Sequence, residues 1–161
     1  MTLRPMLLTI LLSTSLAIAA QTPPIPSAEH KHWADVTHKF ETAPLDEDAT
    51  HDASLVVSDI AISNDFHVVM CRPIYTDFHE SEYHYHEPIR LLYMLGAATY
   101  QVESGKVDPE GTNLYALHSV LKGYAAILRE KPTAHDKKLD ELAKLDEKNK
   151  LTDYIARKNC K

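Results

Sequence analysis

The chain has 161 residues and a formal charge of −6, from 23 acidic and 17 basic side chains, with no basic patch along any segment. That balance excludes nucleic acid as an expected partner, because a basic stripe is the electrostatic footprint of such binding. It suits a basic partner or a cation instead. The length is that of one ordinary domain able to bury its own core.

Residues 1–20, MTLRPMLLTILLSTSLAIAA, predict a cleaved signal peptide. Arg4 precedes an apolar run, and Ala17-Ile18-Ala19 or Ile18-Ala19-Ala20 supply the small residues that a signal peptidase needs. The apolar run is short for a bilayer core of about 30 Å, and no basic stop-transfer cluster follows it. The expectation is a secreted or periplasmic protein without a membrane span. Cleavage after Ala20 leaves 141 of the 161 residues and, without Arg4, a charge of −7. Residues 21–28, QTPPIPSA, read as an extended proline-rich tether. A single helical domain is expected over 29–161.

Residues 29–40 predict a short helix with Trp33, Val36 and Phe40 (or Thr37) on one face, stopped by Pro44. The stretch from Ala53 to Tyr75 is ambiguous. Val56, Val57, Ile60 and Ala61 fit a helical stripe, yet the density of Val and Ile also suits a strand. The spacing favours a helix over about 52–63, with Thr50, Asp52 and Ser54 as candidate N-caps. Phe66 to Cys71 is either a continuing helix or a short buried segment, ended by Pro73.

From Pro88 the pattern is firmer. Proline suits a first helical position, and Glu87 suits the positive end of that helix. Leu91, Leu92, Met94, Leu95, Ala97 and Ala98 make a helix apolar nearly all round, hence central, with Gly105 as its stop. Gly96, Ala97 and Ala98 are small enough to admit a close neighbour. The next helix carries Leu114, Leu117, Leu121, Tyr124 and Leu128 in one stripe, widened by Val120 and Ile127. Thr112 or Asn113 caps it and Pro132 closes it. The short turn between these two helices predicts antiparallel packing. Leu139, Leu142 and Leu145 define a charged tail helix, broken at Lys148-Asn149-Lys150, before a last short helix with Leu151, Tyr154 and Ile155. The fold expected is an all-α bundle of about five helices.

The two cysteines, Cys71 and Cys160, form one disulfide if the chain is exported. The competing reading keeps Cys71 as a buried thiol and Cys160 as a free one.

The densest chemical signal is HESEYHYHEP, residues 79–88, with three histidines and three glutamates in ten positions. Imidazole and carboxylate together ligate zinc or copper, and His79, Glu82, His84 and His86 are the candidate ligands. No recognised ligand spacing accompanies them. The interleaved Tyr83 and Tyr85 equally suit a protein-recognition loop, because tyrosine brings contact area and a polar tip. In that reading His79, Tyr83, His84, Tyr85 and His86 are the binding residues, and alanine at Tyr83 or Tyr85 weakens binding while sparing the fold. A third reading is a solvated loop whose acids complement the helix that follows. No GxSxG elbow and no Gly-rich phosphate loop occurs, so an enzyme is not expected.

In overall profile the mature chain resembles the small periplasmic immunity and inhibitor proteins that neutralise wall-degrading effectors. The resemblance lies in a leader, a helical acidic chain and one disulfide, and no diagnostic motif carries it. It implies a non-enzymatic protein that occludes the active-site cleft of a secreted effector or hydrolase with a loop such as 77–87, without a cofactor. Two alternatives stand beside it. One is a periplasmic zinc- or copper-binding protein using the 79–87 loop. The other is a helical subunit of an envelope complex, or a homodimer packed through the amphipathic tail 135–157.

Overall fold

The computed structural model describes residues 27–64 and 66–160, which form seven helices and no strand. The expected signal peptide and all but the last two residues of the tether lie outside the described residues. The helices are α1 Ala28–Thr42, α2 Glu47–Ile62, α3 Arg72–His79, α4 His86–Ser104, α5 Pro109–Glu130, α6 Lys137–Glu147 and α7 Leu151–Arg157. No helix among them is long and apolar enough to cross a membrane.

The helix termini follow side-chain capping. The Ser27 hydroxyl accepts the His30 N–H at 3.1 Å and starts α1. Asp46 starts α2 by accepting the Ala49 N–H at 2.8 Å, with Glu47 and Asp48 behind it on the positive end of the helix. The helix therefore begins earlier than the apolar pattern suggests. Thr50 and Ser54, candidate caps by sequence, instead return their hydroxyls to the carbonyls of Asp46 and Thr50. Asp108 caps α5 through the Gly111 N–H, one turn ahead of the expected Thr112 or Asn113. Proline is misleading in two places. Pro73 lies in the first turn of α3, the one helix that the sequence pattern omits, and Pro88 is the third residue of α4. First-turn residues have no intrahelical acceptor for their N–H groups, so a proline there costs nothing.

Phe66 to Cys71 is not helical; of the two expectations it is nearer the short buried segment, with Phe66, Val68 and Met70 packed against the core and Cys71 buried. It runs extended with alternating exposure across the surface of α4. With its amide nitrogen facing the His67 carbonyl (2.9 Å) and its oxygen facing the Val69 N–H (3.2 Å), Gln101 serves as the ladder partner this segment lacks.

The central helix is α4, as its all-round apolar pattern predicts. It packs on α1, α2, α3 and α5 and buries Leu91, Leu92, Leu95 and Tyr93. Gly105 terminates it in the left-handed region at φ 64°. Leu92 meets Gly123, Gly96 meets Ala116 and Ser119, and Tyr100 meets Gly111, so α4 and α5 run antiparallel. A Cβ on Gly96 would stand 2.6 Å from the Ser119 hydroxyl oxygen, so only glycine allows this approach. On α5 the burial centres on Ala116, Leu117, Val120, Tyr124 and Ile127, while Leu114, Leu121 and Leu128 flank it.

The tail packs on the chain's own core. Leu139, Leu142, Leu151 and Ile155 are buried, and Asn149 in the left-handed region (φ 54°) makes the expected break between α6 and α7. Cys160 then closes a disulfide with Cys71 across 89 residues of sequence. Asn113, deep in α5, ties the same region together. Its carbonyl oxygen accepts the Cys71 N–H at 2.8 Å and the Tyr93 hydroxyl, and its amide donates to the Pro109 carbonyl at 2.5 Å.

Candidate functional site

The 79–88 segment does not gather its histidines. His79, at the end of α3, stacks on Tyr75 with ring centroids 5.6 Å apart. His84 is exposed and stands edge-on to Tyr85 at 4.7 Å. His86 begins α4 and turns its Nδ1 to the Tyr83 carbonyl at 3.0 Å. Glu82 is exposed, and Glu87 is taken by a two-pronged pair with Arg90 at 2.5 and 2.8 Å. That pairing holds the Glu87 carboxyl below its ordinary pKa. The proposed ligand set His79, Glu82, His84 and His86 is thus dispersed over a helix end, a turn and a helix start. Among the described residues no three His, Cys, Asp or Glu side chains converge to hold a metal ion.

What the segment does form is one wall of an open cleft of about 450 Å³. Ser81, Glu82, Tyr83, His84 and Tyr85 face Thr133, Ala134, His135 and Asp136 from the α5–α6 turn. Tyr83 anchors the wall. Its hydroxyl donates to the Ala134 carbonyl at 2.8 Å, and its ring meets Tyr85 and Tyr124 edge-on at 5.6 and 6.2 Å. Its N–H donates to the Ser81 hydroxyl at 3.2 Å, which tightens the turn.

Behind the opposite wall stands a second phenol. The Tyr124 hydroxyl donates to Asp140 at 2.7 Å and accepts the Asp136 N–H at 2.9 Å, while His135 Nδ1 lies 3.1 Å from Asp140. Asp136 in turn caps α6 through the N–H groups of Lys138 and Leu139. Burial pushes the Tyr124 phenol up to about 12 and raises Tyr83 as well, so both remain proton donors at physiological pH. The hydrogen bond from Tyr124 lowers the Asp140 carboxyl, which stays ionised. Both walls are therefore fixed by hydrogen bonds, while Glu82 and His84 stand exposed at the rim.

Sequence reasoning named the first wall and missed the second. Asp136 before an apolar-periodic run was a readable cap, but nothing local pairs Tyr83 with Ala134, 51 residues away. Tyr83 is also placed differently from the expectation that it contacts a partner freely. It is half-buried and holds the loop.

Two further polar clusters lie elsewhere. Glu41, only 5% exposed, accepts the Ser119 hydroxyl at 2.6 Å and the Lys122 ammonium at 2.9 Å, with His38 at 3.4 Å. His38 also reaches Glu103 at 2.7 Å, and Glu103 accepts the Tyr115 hydroxyl at 2.8 Å. Ser119 and Lys122 have the spacing of a serine–lysine dyad, which sequence reasoning overlooked. Ser119 is fully buried and spends its proton on Glu41, so its oxygen is held within the helix interface. In the other cluster, one oxygen of Asp77 on α3 accepts both Lys138 of α6 (2.8 Å) and Lys158 after α7 (2.6 Å).

Comparison with known proteins adds no relative: no protein-family model, no curated protein and no solved structure matches this chain.

Proposed function

We propose that this chain is an exported, non-enzymatic binding protein that offers the 79–87 segment to a basic face of a protein partner. It acts as an inhibitor or immunity protein does when it occludes the cleft of a secreted enzyme. The observation that carries this reading is the pre-ordered cleft. Tyr83 is bonded to Ala134, His86 starts α4, and Glu82 and His84 stand exposed between them. A loop already held in place loses little freedom on binding, so more of its contact energy appears as affinity. Exposed Glu82 on a chain of net charge −6 steers it toward a positive surface. Tyr85, with an apolar ring and a polar tip, supplies contact area at low entropic cost. The disulfide between Cys71 and Cys160 accords with an oxidising compartment.

The test is affinity capture from an envelope fraction, followed by titration of the captured partner with variants. Glu82→Lys with His84→Ala is expected to weaken binding by about tenfold or more at unchanged melting temperature, as a close interfacial charge reversal does. Asp59→Lys, an exposed charge change in the last turn of α2, controls for net charge. Equal effects from both substitutions, or none from the loop pair, rule out this surface.

A further inference from the structure

A second concavity lies on the tail and belongs to neither the cleft nor the Glu41 cluster. It is a groove of about 370 Å³ between α6 and α7, lined by Lys138, Glu141, Leu142, Leu145, Tyr154, Arg157 and Lys158. On α6 these positions follow i, i+3, i+4, i+7, and on α7 and its cap i, i+3, i+4. Each helix therefore gives the groove one continuous face. The floor is Leu142, Leu145 and the ring of Tyr154.

The charge is placed unevenly. A single Asp77 oxygen holds the ammonium groups of Lys138 (2.8 Å) and Lys158 (2.6 Å), and the Tyr154 hydroxyl approaches the same oxygen at 3.4 Å. One carboxylate is thus shared by two cations, a net surplus of one positive charge, and each ammonium keeps further donors. Arg157 is exposed beside them on the same groove. Among the residues lining the groove, Lys138, Lys158 and Arg157 outnumber the one acid, Glu141, with Asp77 behind the two lysines. This end of the groove is net positive on a chain whose total charge is −6. From Lys138 to Leu145 the groove follows about 10 Å of helix α6, at 1.5 Å per residue. It leads from the cationic end along the apolar floor.

We propose that this groove binds a free, single-tailed carboxylate amphiphile, with its head at Arg157, Lys138 and Lys158 and its tail along Leu142, Leu145 and Tyr154. A carboxylate matches the surplus of cationic donors, and a guanidinium accepts it in two-pronged fashion. The tail covers the partly exposed Leu145 and Tyr154, beside Leu142, which is already buried. The groove is a concavity of about 370 Å³ between two short helices, the scale of one small molecule, which favours a free molecule over a lipid surface.

The mature protein is titrated calorimetrically with octanoate, with acetate as a head without a tail and octanol as a tail without a charge. Octanoate is expected to bind about tenfold or more tightly than either control, and Arg157→Glu to weaken it by about tenfold or more, the effect of losing one charged hydrogen bond. Arg157 is exposed, so the variant should keep the wild-type melting temperature. Leu145→Gln tests the tail and should weaken octanoate without changing acetate. Vesicles of anionic phosphatidylglycerol, in a sedimentation assay, distinguish a lipid surface from a free amphiphile. The proposal is overturned if octanol binds as well as octanoate, if Arg157→Glu has no effect, if octanoate gives no heat at millimolar concentration, or if only the vesicles retain the protein.

Discussion

Removing the disulfide should destabilise the whole domain, not merely loosen its end. Cys71 and Cys160 are 89 residues apart, so the bond forbids most extended conformations of the unfolded chain. In the loop-entropy treatment a closed loop of this size is worth about 4.6 kcal/mol at 25 °C. For roughly 130 ordered residues, an unfolding entropy near 2.1 cal/mol/K per residue converts that to a fall of about 17 °C in Tm. Cys160→Ala is the cleaner variant, because Cys71 is buried and a serine there would add a hydroxyl cost of its own. Differential scanning calorimetry of wild type, wild type with reductant and Cys160→Ala should give the two reduced-like states the same lowered Tm. Urea titration should also give a steeper slope, since an unclipped unfolded chain exposes more surface. The competing outcome is local. Leu151 and Ile155 are buried, and Lys158 is tied to Asp77, so α7 has anchors apart from the sulfur bridge. A Tm loss under about 4 °C, with hydrogen-exchange protection lost only in 151–160, would refute the entropic reasoning.

Asn113→Ala removes the acceptor of the Cys71 N–H and the Tyr93 hydroxyl inside the core and should cost about 3 kcal/mol in urea denaturation, with Tyr93→Phe costing about 1. Gly96→Ala should destabilise by about 1–2 kcal/mol despite alanine's better helix propensity, because its Cβ meets Ser119 and the Ala116 backbone. A variant as stable as wild type would show that α4 and α5 separate freely. For His38, burial alone would lower the pKa, but hydrogen bonds to Glu103 and Glu41 outweigh it and hold the imidazole above 6.5. A raised folded pKa contributes stability that is complete below 6.5 and is lost as pH rises through the folded value. Glu103 is the reverse: burial opposes ionisation, yet His38 and Tyr115 hold it below 4.5, so its contribution fades as pH falls through the folded value. Wild-type Tm should therefore decline between about pH 6 and pH 8 more than that of His38→Asn, and parallel curves would dismiss the pairing.

The class of fold was legible because helices declare themselves by period. The α4 sequence is apolar on nearly every side and proved central, and α5 showed one stripe that needed only a small rotation toward Val120 and Ile127. Boundaries were less legible where two signals compete for one end. Asp46 lies too far upstream of the apolar stripe to be chosen over Thr50 or Asp52, yet it is the residue with Glu47 and Asp48 behind it. Pro73 reads as a stop, but as a first-turn proline it opens α3, whose contribution to the core is the pair Ile74 and Phe78. The extended 66–70 segment was illegible for a different reason. Its hydrogen-bond partner is a side chain, Gln101, and no local pattern announces a glutamine doing the work of a neighbouring strand.

The candidate site divides along the same line. Residue type drew attention to the 79–88 segment, but residue type alone could not separate exposed side chains from structural anchors. What separates them is the number of partners each side chain has already found. His79 is stacked, His86 is bonded to a carbonyl, Glu87 is paired with Arg90 and Tyr83 is bonded across to Ala134. These four spend their polar and aromatic capacity on shaping the turn. Glu82 and His84 are the exposed side chains of the turn, His84 meeting only the Tyr85 ring edge-on, and for that reason the binding test rests on them. The tail groove obeys the same accounting in the opposite sense, since one Asp77 carboxylate cannot satisfy both lysines and an adjacent Arg157. A surface engages ligands where its own groups leave charge or hydrogen-bonding capacity unspent. In this molecule the proposed binding surfaces, the rim of the 81–85 turn and the cationic end of the α6–α7 groove, are chosen on that criterion.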